Sequence, residues 1–234
     1  MYTRPKHLLS KGTTNAKTAK NSLESYILYM APHETNDSGV NLCPSSSAGC
    51  RAACLYSSGR GRFTNVQQSR INKSNYYVED RFLFLEQLYD ELQKLQERAT
   101  RLGTKIAIRL NGTTDLPLYK MLKADKRGWD NLVFYDYTKI AAKAVKYANS
   151  DHYIVTFSRS EDPRNHQDCI NVLEAGGNVA MVFSTDKFPD TYMGYPVIDG
   201  DQSDIMMLYN RGVILGLKAK GDAKKDKSGF VIQL

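Results

Sequence analysis

Lys105-Ile-Ala-Ile-Arg-Leu-Asn-Gly-Thr-Thr-Asp115 decides how this chain is read. Its first half alternates, with Ile106, Ile108 and Leu110 on one face and Ala107, Arg109 and Asn111 on the other, which is the period of a strand. Gly112 then breaks the run, and Thr113, Thr114 and Asp115 make a polar turn before the next helix-like stretch. A β-rich run, a polar turn and a helical pattern together form one β/α unit.

The same rhythm continues downstream. Apolar runs at 132–137, 153–157, 179–183 and 213–217 alternate with helical stretches at 118–126, 139–149, 165–175 and 202–210, and 195–198 adds a further strand. Upstream, 25–30 reads as a strand. The clearest helix runs from Asp80 to Leu102, with Phe82, Leu83, Leu85, Leu88, Leu92 and Leu95 as its apolar face and Gly103 as its stop. Alternating elements of this kind build a mostly parallel sheet. We therefore expect an α/β fold: a partial or open (β/α) barrel of about six strands, with a doubly wound sheet as the alternative. At 234 residues and 41% hydrophobic content, the chain fits one domain over 1–234, with 1–24 an irregular basic lead-in.

In such folds chemistry gathers where strands end and helices begin. Capping accounts for Thr138, Ser160 and Asp201 at those junctions. Ser184, Thr185 and Asp186 continue the polar series beyond the fifth strand. Arg109, Asn111 and Asp115 invite a functional reading, because a charged residue on an inward strand face needs a partner. Gly112, Thr113 and Thr114 complete a turn suited to receive a ligand's carboxylate or ammonium.

A second stretch supplies the chemistry. Asn41-Leu-Cys43-Pro-Ser-Ser-Ser-Ala-Gly-Cys50-Arg-Ala-Ala-Cys54 places three of the chain's four cysteines within twelve residues, spaced C-x6-C-x3-C. Three thiolates can hold three irons of a [4Fe-4S] cluster and leave the fourth open to a small molecule, whereas closed structural zinc sites want four protein ligands. The loop and helix of 41–62 are the expected cluster-binding element. A helix over 48–56 would put Cys50 and Cys54 on one face, and Ser45, Ser46 and Ser47 would hydrogen-bond cluster sulfur. Zinc closed by His33, and a disulfide with an odd thiol, are the alternatives. Cys169 shares a helical face with Val172 and Leu173 and is expected in the core.

Residues 1–73 carry ten Lys or Arg against Glu24, Glu34 and Asp37, so all of the net charge of +7 lies in the third of the chain around the cysteines. This field suits an anionic partner. Nucleic acid is one such partner, since Arg60, Arg62, Arg70 and Lys73 interleave with Phe63, Tyr76 and Tyr77. The basic run 218–227 is broken by Asp222 and Asp226 and reads as a surface loop. No apolar run approaches the roughly 20 residues that span a bilayer, and no apolar stretch follows the N-terminal Met-Tyr-Thr-Arg-Pro-Lys. A soluble cytoplasmic protein with no membrane partner is expected.

The cysteine segment with Ser58-Gly-Arg-Gly-Arg62, together with Arg109-Leu-Asn-Gly-Thr-Thr-Asp115 and Tyr135-Asp-Tyr-Thr-Lys139, resembles the phage gene product 88 family over most of the chain. The resemblance implies a phage protein working in a bacterial cytoplasm, and it supplies no reaction. The order of strand, three-cysteine loop, helix and second strand is also similar to that of radical S-adenosylmethionine enzymes. That likeness implies S-adenosylmethionine as the ligand of the open iron, with Asn111–Asp115 standing where those enzymes place a Gly-Gly-Glu turn. Their usual spacing is C-x3-C-x2-C, from which this chain departs.

Overall fold

A computed structural model describes residues 2–14, 19, 21–185 and 187–234. Asp186 and part of the expected lead-in lie outside the described residues. Among the described residues, ten strands form an open, mostly parallel sheet whose path runs from the first strand to the seventh without returning on itself. The α/β expectation holds, with ten strands in place of about six and no closed barrel.

The chain divides into two compact units, residues 1–44 with 60–134 and residues 45–59 with 135–234. In the first, β1 (Leu9–Lys11) pairs antiparallel with β2 (Glu24–Leu28), so the lead-in contains a strand that its polar composition hides. The cysteine segment follows, with α1 at Ala48–Ala52, and then two long helices, α2 (Thr64–Glu79) and α3 (Arg81–Leu102). β3 (Ile106–Arg109) returns parallel to β2, α4 (Leu118–Met121) follows, and β4 (Leu132–Thr138) pairs parallel with β3.

The boundaries of α3 follow its residues. Asp80 caps the start by accepting from the Leu83 amide at 3.2 Å, and Gly103 ends it in the left-handed region at φ 61°. Its buried face is Phe84, Gln87, Leu88, Leu92 and Ala99, whereas Phe82 is 76% exposed. The expected stripe holds at Leu88 and Leu92 but starts two positions early, because the helix turns Phe84 toward Tyr76 and Tyr77 of α2, at ring distances of 5.4 and 5.3 Å. α2 is not foreseen in the sequence. Its inner face includes Lys73, Ser74 and Asn75, polar side chains buried because each meets a backbone or side-chain partner.

In the second unit β4 continues beside β5 (Tyr153–Ser158), separated from it in sequence by α5 (Ala141–Tyr147), and α6 (Asn165–Glu174) leads to β6 (Asn178–Phe183). Next comes a hairpin of β7 (Thr191–Tyr192) and β8 (Tyr195–Asp199). Its two-residue loop, Met193 at φ 53° and Gly194 at φ 81°, fits the strand twist. The helix expected at 202–210 shrinks to a 3-10 turn at Met206–Leu208 before β9 (Ile214–Lys218). Last, β10 (Val231–Ile232) pairs parallel with Val182 and Phe183. β5 pairs with β6 only at Asn178, Val179 and Ala180, so β10 takes over the far end of β6.

Gly112 sits where backbone meets backbone: its amide donates to Leu28 O at 2.9 Å, and a Cβ there would lie 2.8 Å from the same oxygen and 2.6 Å from the Tyr29 ring. Gly112→Ala is expected to cost about 1–3 kcal/mol of unfolding free energy, as overpacking does, read as a lower urea midpoint. Lys73, 6% exposed, donates to Leu8 O at 2.7 Å. Burial pushes its pKa down to about 8, with Glu91 opposing and Arg70 adding to the shift. The unfolded chain therefore binds more protons between about pH 8 and 10.5, and the destabilising charge is relieved as pH rises through that window. The stability difference between the native chain and Lys73→Met should move in favour of the native chain by about 2 kcal/mol from pH 7.5 to 9.5. A flat difference would contradict the buried charge.

Candidate functional site

The β3 turn builds itself from the residues singled out in the sequence. Asn111, 1% exposed, accepts through Oδ1 from the Leu116 amide at 2.8 Å and the Thr114 hydroxyl at 3.0 Å, and donates through Nδ2 to Leu116 O at 3.1 Å. Arg109 donates to the carbonyls of Asn111 and Gly112 at 3.2 and 3.3 Å. Thr113 Oγ1 donates to Met30 O at 2.5 Å, tying the turn to the end of β2, and the buried Asp115 donates its amide to Leu42 O at 3.1 Å. These side chains satisfy backbone groups that the sheet leaves unpaired. Their first role is architectural.

Cys43 belongs to the same neighbourhood. Its amide donates to Asn41 Oδ1 at 2.8 Å, and its thiol donates to Thr113 O at 3.4 Å across 70 residues of sequence. The first cysteine is thus brought to the turn that the strand pattern nominated. His33 lies in this unit as well, its carbonyl accepting from the Leu42 amide at 3.0 Å.

Cys50 and Cys54 are positioned in the second unit. Ser47 is the N-cap of α1, its hydroxyl accepting from the Cys50 amide at 3.1 Å and donating to Glu161 Oε2 at 2.7 Å. Glu161 Oε1 also accepts from the Gly49 amide at 2.8 Å. Burial resists the charge on Glu161, but the bonds from Ser47 and Gly49, with Lys139 nearby, hold its carboxyl below the usual range. Gly49 allows this approach, because a Cβ there would lie 2.8 Å from the Glu161 carboxylate and 2.4 Å from Ser228 Oγ. Beneath the helix, Cys50 packs against a buried cluster of Ala53, Ala219, Ala223, Phe230 and Val231.

The helix is shorter than its sequence suggests. It ends at Ala52, and Cys54 is extended before a 3-10 turn at Leu55–Ser57, so the two thiols do not share a regular helical face. The reason is local: the Cys54 amide reaches back only three residues, to Arg51 O at 3.3 Å, and Leu55 beyond it is 57% exposed and gives the helix nothing to bury. Of the three serines expected near the thiols, Ser47 is spent on Glu161, and Ser46 accepts from Arg51 at 3.1 Å through its carbonyl.

Strand ends around α1 are crosslinked by two cations. Lys139 Nζ donates to Ser158 O, Ser158 Oγ and Arg159 O at 3.0, 2.9 and 2.7 Å and lies 4.9 Å from the Phe230 ring centre. Arg159 donates to Gly229 O at 2.8 Å and Phe230 O at 3.1 Å, bridging the gap where β10 replaces β5 beside β6. Glu161, Lys139 and Arg159 stand out only in three dimensions. Their one sequence signal is position just past a strand.

None of the four cysteines forms a disulfide, and Cys43, Cys50 and Cys54 are half-buried while Cys169 is buried. Cys169 lies in the α6 core face as expected; burial pushes its thiol up to about 11, and it contacts Asn165 Oδ1 at 3.6 Å. Among the described residues, no three His, Cys, Asp or Glu side chains stand together as a metal-holding group. The donor types suit an iron-sulfur cluster.

Of the residues expected to meet nucleic acid, Tyr76 is 0%, Tyr77 4% and Lys73 6% exposed, and Arg70 stacks 4.8 Å over Tyr29. They form core and packing contacts, which leaves Arg60, Arg62 and Phe63 at the surface. No helix among the described residues is long and apolar enough to cross a membrane.

No curated protein and no solved structure matches the chain, so the likeness to radical S-adenosylmethionine enzymes gains no support from them. The sequence pattern of the gene product 88 family matches residues 7–234, taking in both the β3 turn and the cysteine segment, and the chain belongs to that phage family.

Proposed function

We propose that Cys43, Cys50 and Cys54 hold a [4Fe-4S] cluster with one open iron, in a phage protein that acts enzymatically on a small molecule in the bacterial cytoplasm. The observation that carries this reading is the anchoring of the cysteine segment on both sides. Cys43 is bound to the carbonyl of Thr113 at the β3 turn, and Cys50 follows an N-cap locked by Glu161. A metal site rarely stands complete without its metal, because cluster formation and local folding are coupled. Two anchored thiols and a third four residues on leave little chain to order when the cluster forms. Cys169, with its raised pKa and core position, has the character of a packing residue.

When bound, such a cluster supplies one electron to a ligand on its open iron. S-adenosylmethionine or a related small molecule is the proposed ligand, facing the backbone of Asn111–Asp115. In this reading Arg109, Asn111 and Thr114 fix the shape of the turn that the ligand meets. Glu161 fixes the amide end of α1, and the apolar cluster under Cys50 keeps water from that side of the thiol.

Protein purified without oxygen should be brown and carry about four irons and four sulfides per chain. Cys43→Ser, Cys50→Ser and Cys54→Ser should each lose most of that iron, while Cys169→Ser should retain it. Colourless, iron-free protein, or iron lost only with Cys169, would sink the proposal.

Glu161 makes a separate prediction for α1. Its pKa is lowered by folding, so its contribution is fully present above the ordinary carboxylate range and fades as pH falls through that range. Glu161→Gln should raise amide exchange at Gly49 and Cys50 about tenfold at pH 7, equivalent to about 1.4 kcal/mol. In the native chain the same amides should lose protection selectively on acidification.

A further inference from the structure

Three neighbouring parallel strands, β6, β9 and β10, direct their carboxyl ends toward one cavity of about 330 Å³ in the second unit. Ser184 follows the end of β6, Lys218 and Ala219 stand at the end of β9, and Gln233 follows β10. A 3-10 turn at Gly221–Lys225 contributes Ala223 and Lys224 to the wall. Ligands of open α/β sheets bind in crevices outside the carboxyl ends of strands, and cavities of this volume suit small molecules.

The lining is divided by chemistry. Ala219, Ala223 and Val231 are buried apolar residues of the cluster against which Cys50 packs. Lys218, Lys224, Ser184 and Gln233 supply two cations and two neutral hydrogen-bonding groups. Two carboxylates reach this edge: Asp201 accepts from the Lys218 amide at 2.8 Å and pairs with Lys220 Nζ at 2.6 Å, and Asp226 accepts from the Val231 amide at 3.0 Å. What the sequence presents as a broken basic surface run places two of its lysines on the wall of a cavity.

We propose that this cavity binds a small organic anion, its carboxylate or phosphate held by Lys218 and Lys224 and its short apolar body against Ala219, Ala223 and Val231. Two cations favour an anion, the hydroxyl of Ser184 and the amide of Gln233 orient it, and the alanines leave room that larger side chains would fill. The site is independent of iron, since no part of it draws on the thiols as ligands.

Calorimetric titration of the full chain with phenyl phosphate, benzoate and neutral benzyl alcohol tests the site and tells phosphate from carboxylate. Saturable binding of at least one anion is expected, weakened by salt, with benzyl alcohol failing to bind. Lys224→Met should weaken binding about tenfold, the scale of one charge-assisted contact, and Ala223→Phe should abolish it by filling the cavity. Lys224 is exposed, so its variant keeps the test valid if Ala223→Phe does not fold. No saturable binding of either anion, equal binding of benzyl alcohol, or affinity unchanged in Lys224→Met would overturn the proposal. Iron and sulfide measured on the same samples report on the cluster separately, so either idea can fail without the other.

Discussion

At the carboxyl end of a parallel strand the last amides and carbonyls have no neighbour in the ladder, and a buried one without a partner costs about 1–3 kcal/mol. This constraint organises the chain. Asn111 and Arg109 satisfy the groups beyond β3, Lys139 those at the end of β5, Arg159 the carbonyls just before β10, and β10 itself those at the far end of β6. Polar residues clustered after strands therefore answer a structural need before a chemical one. The same positions attract function in α/β folds because unpaired backbone groups are what ligands use when side chains do not.

Against that background the cysteine segment is unusual for what it leaves over. Ser47 and the Gly49 amide are spent on Glu161, Cys43 reaches Thr113 O, and Cys50 packs against a buried apolar cluster. In the reading proposed above, the three thiols are what the segment keeps for the cluster. The carboxylate at the helix start has a double effect: it completes the N-cap and places negative charge at the positive end of the short helix.

Buried polarity also explains the first unit. α2 buries Lys73, Ser74 and Asn75 because Leu8, Ala31 and Asp37 each supply a partner. These contacts draw the N-terminal segment and the loop after β2 onto successive sides of the same turn of α2. Positive charge concentrated near the cysteines is thus partly consumed by folding. Lys73 and Arg70 are packing residues, whereas Arg51, Arg60 and Arg62 are exposed.

Strand after strand was legible because β-branched and aromatic runs bounded by Gly, Ser and Asp have few other solutions, and the position of β3 follows from its alternation. Helix α3 was legible from its apolar period, to within one residue of its start and down to its Gly103 stop. Helix α2 was not, since a face built of Lys, Ser and Asn carries no periodic apolar signal and is buried only where partners distant in sequence satisfy it. Nor could two-residue β10 be seen, because it exists only as the filling of a gap that β5 leaves beside β6. The β/α alternation and the three-thiol motif thus need nothing beyond local periodicity and spacing. Tertiary structure alone decided that Glu161 holds the cysteine helix, that Cys43 meets Thr113, and that two lysines of the terminal run line a cavity, because each joins residues whose proximity no local pattern encodes.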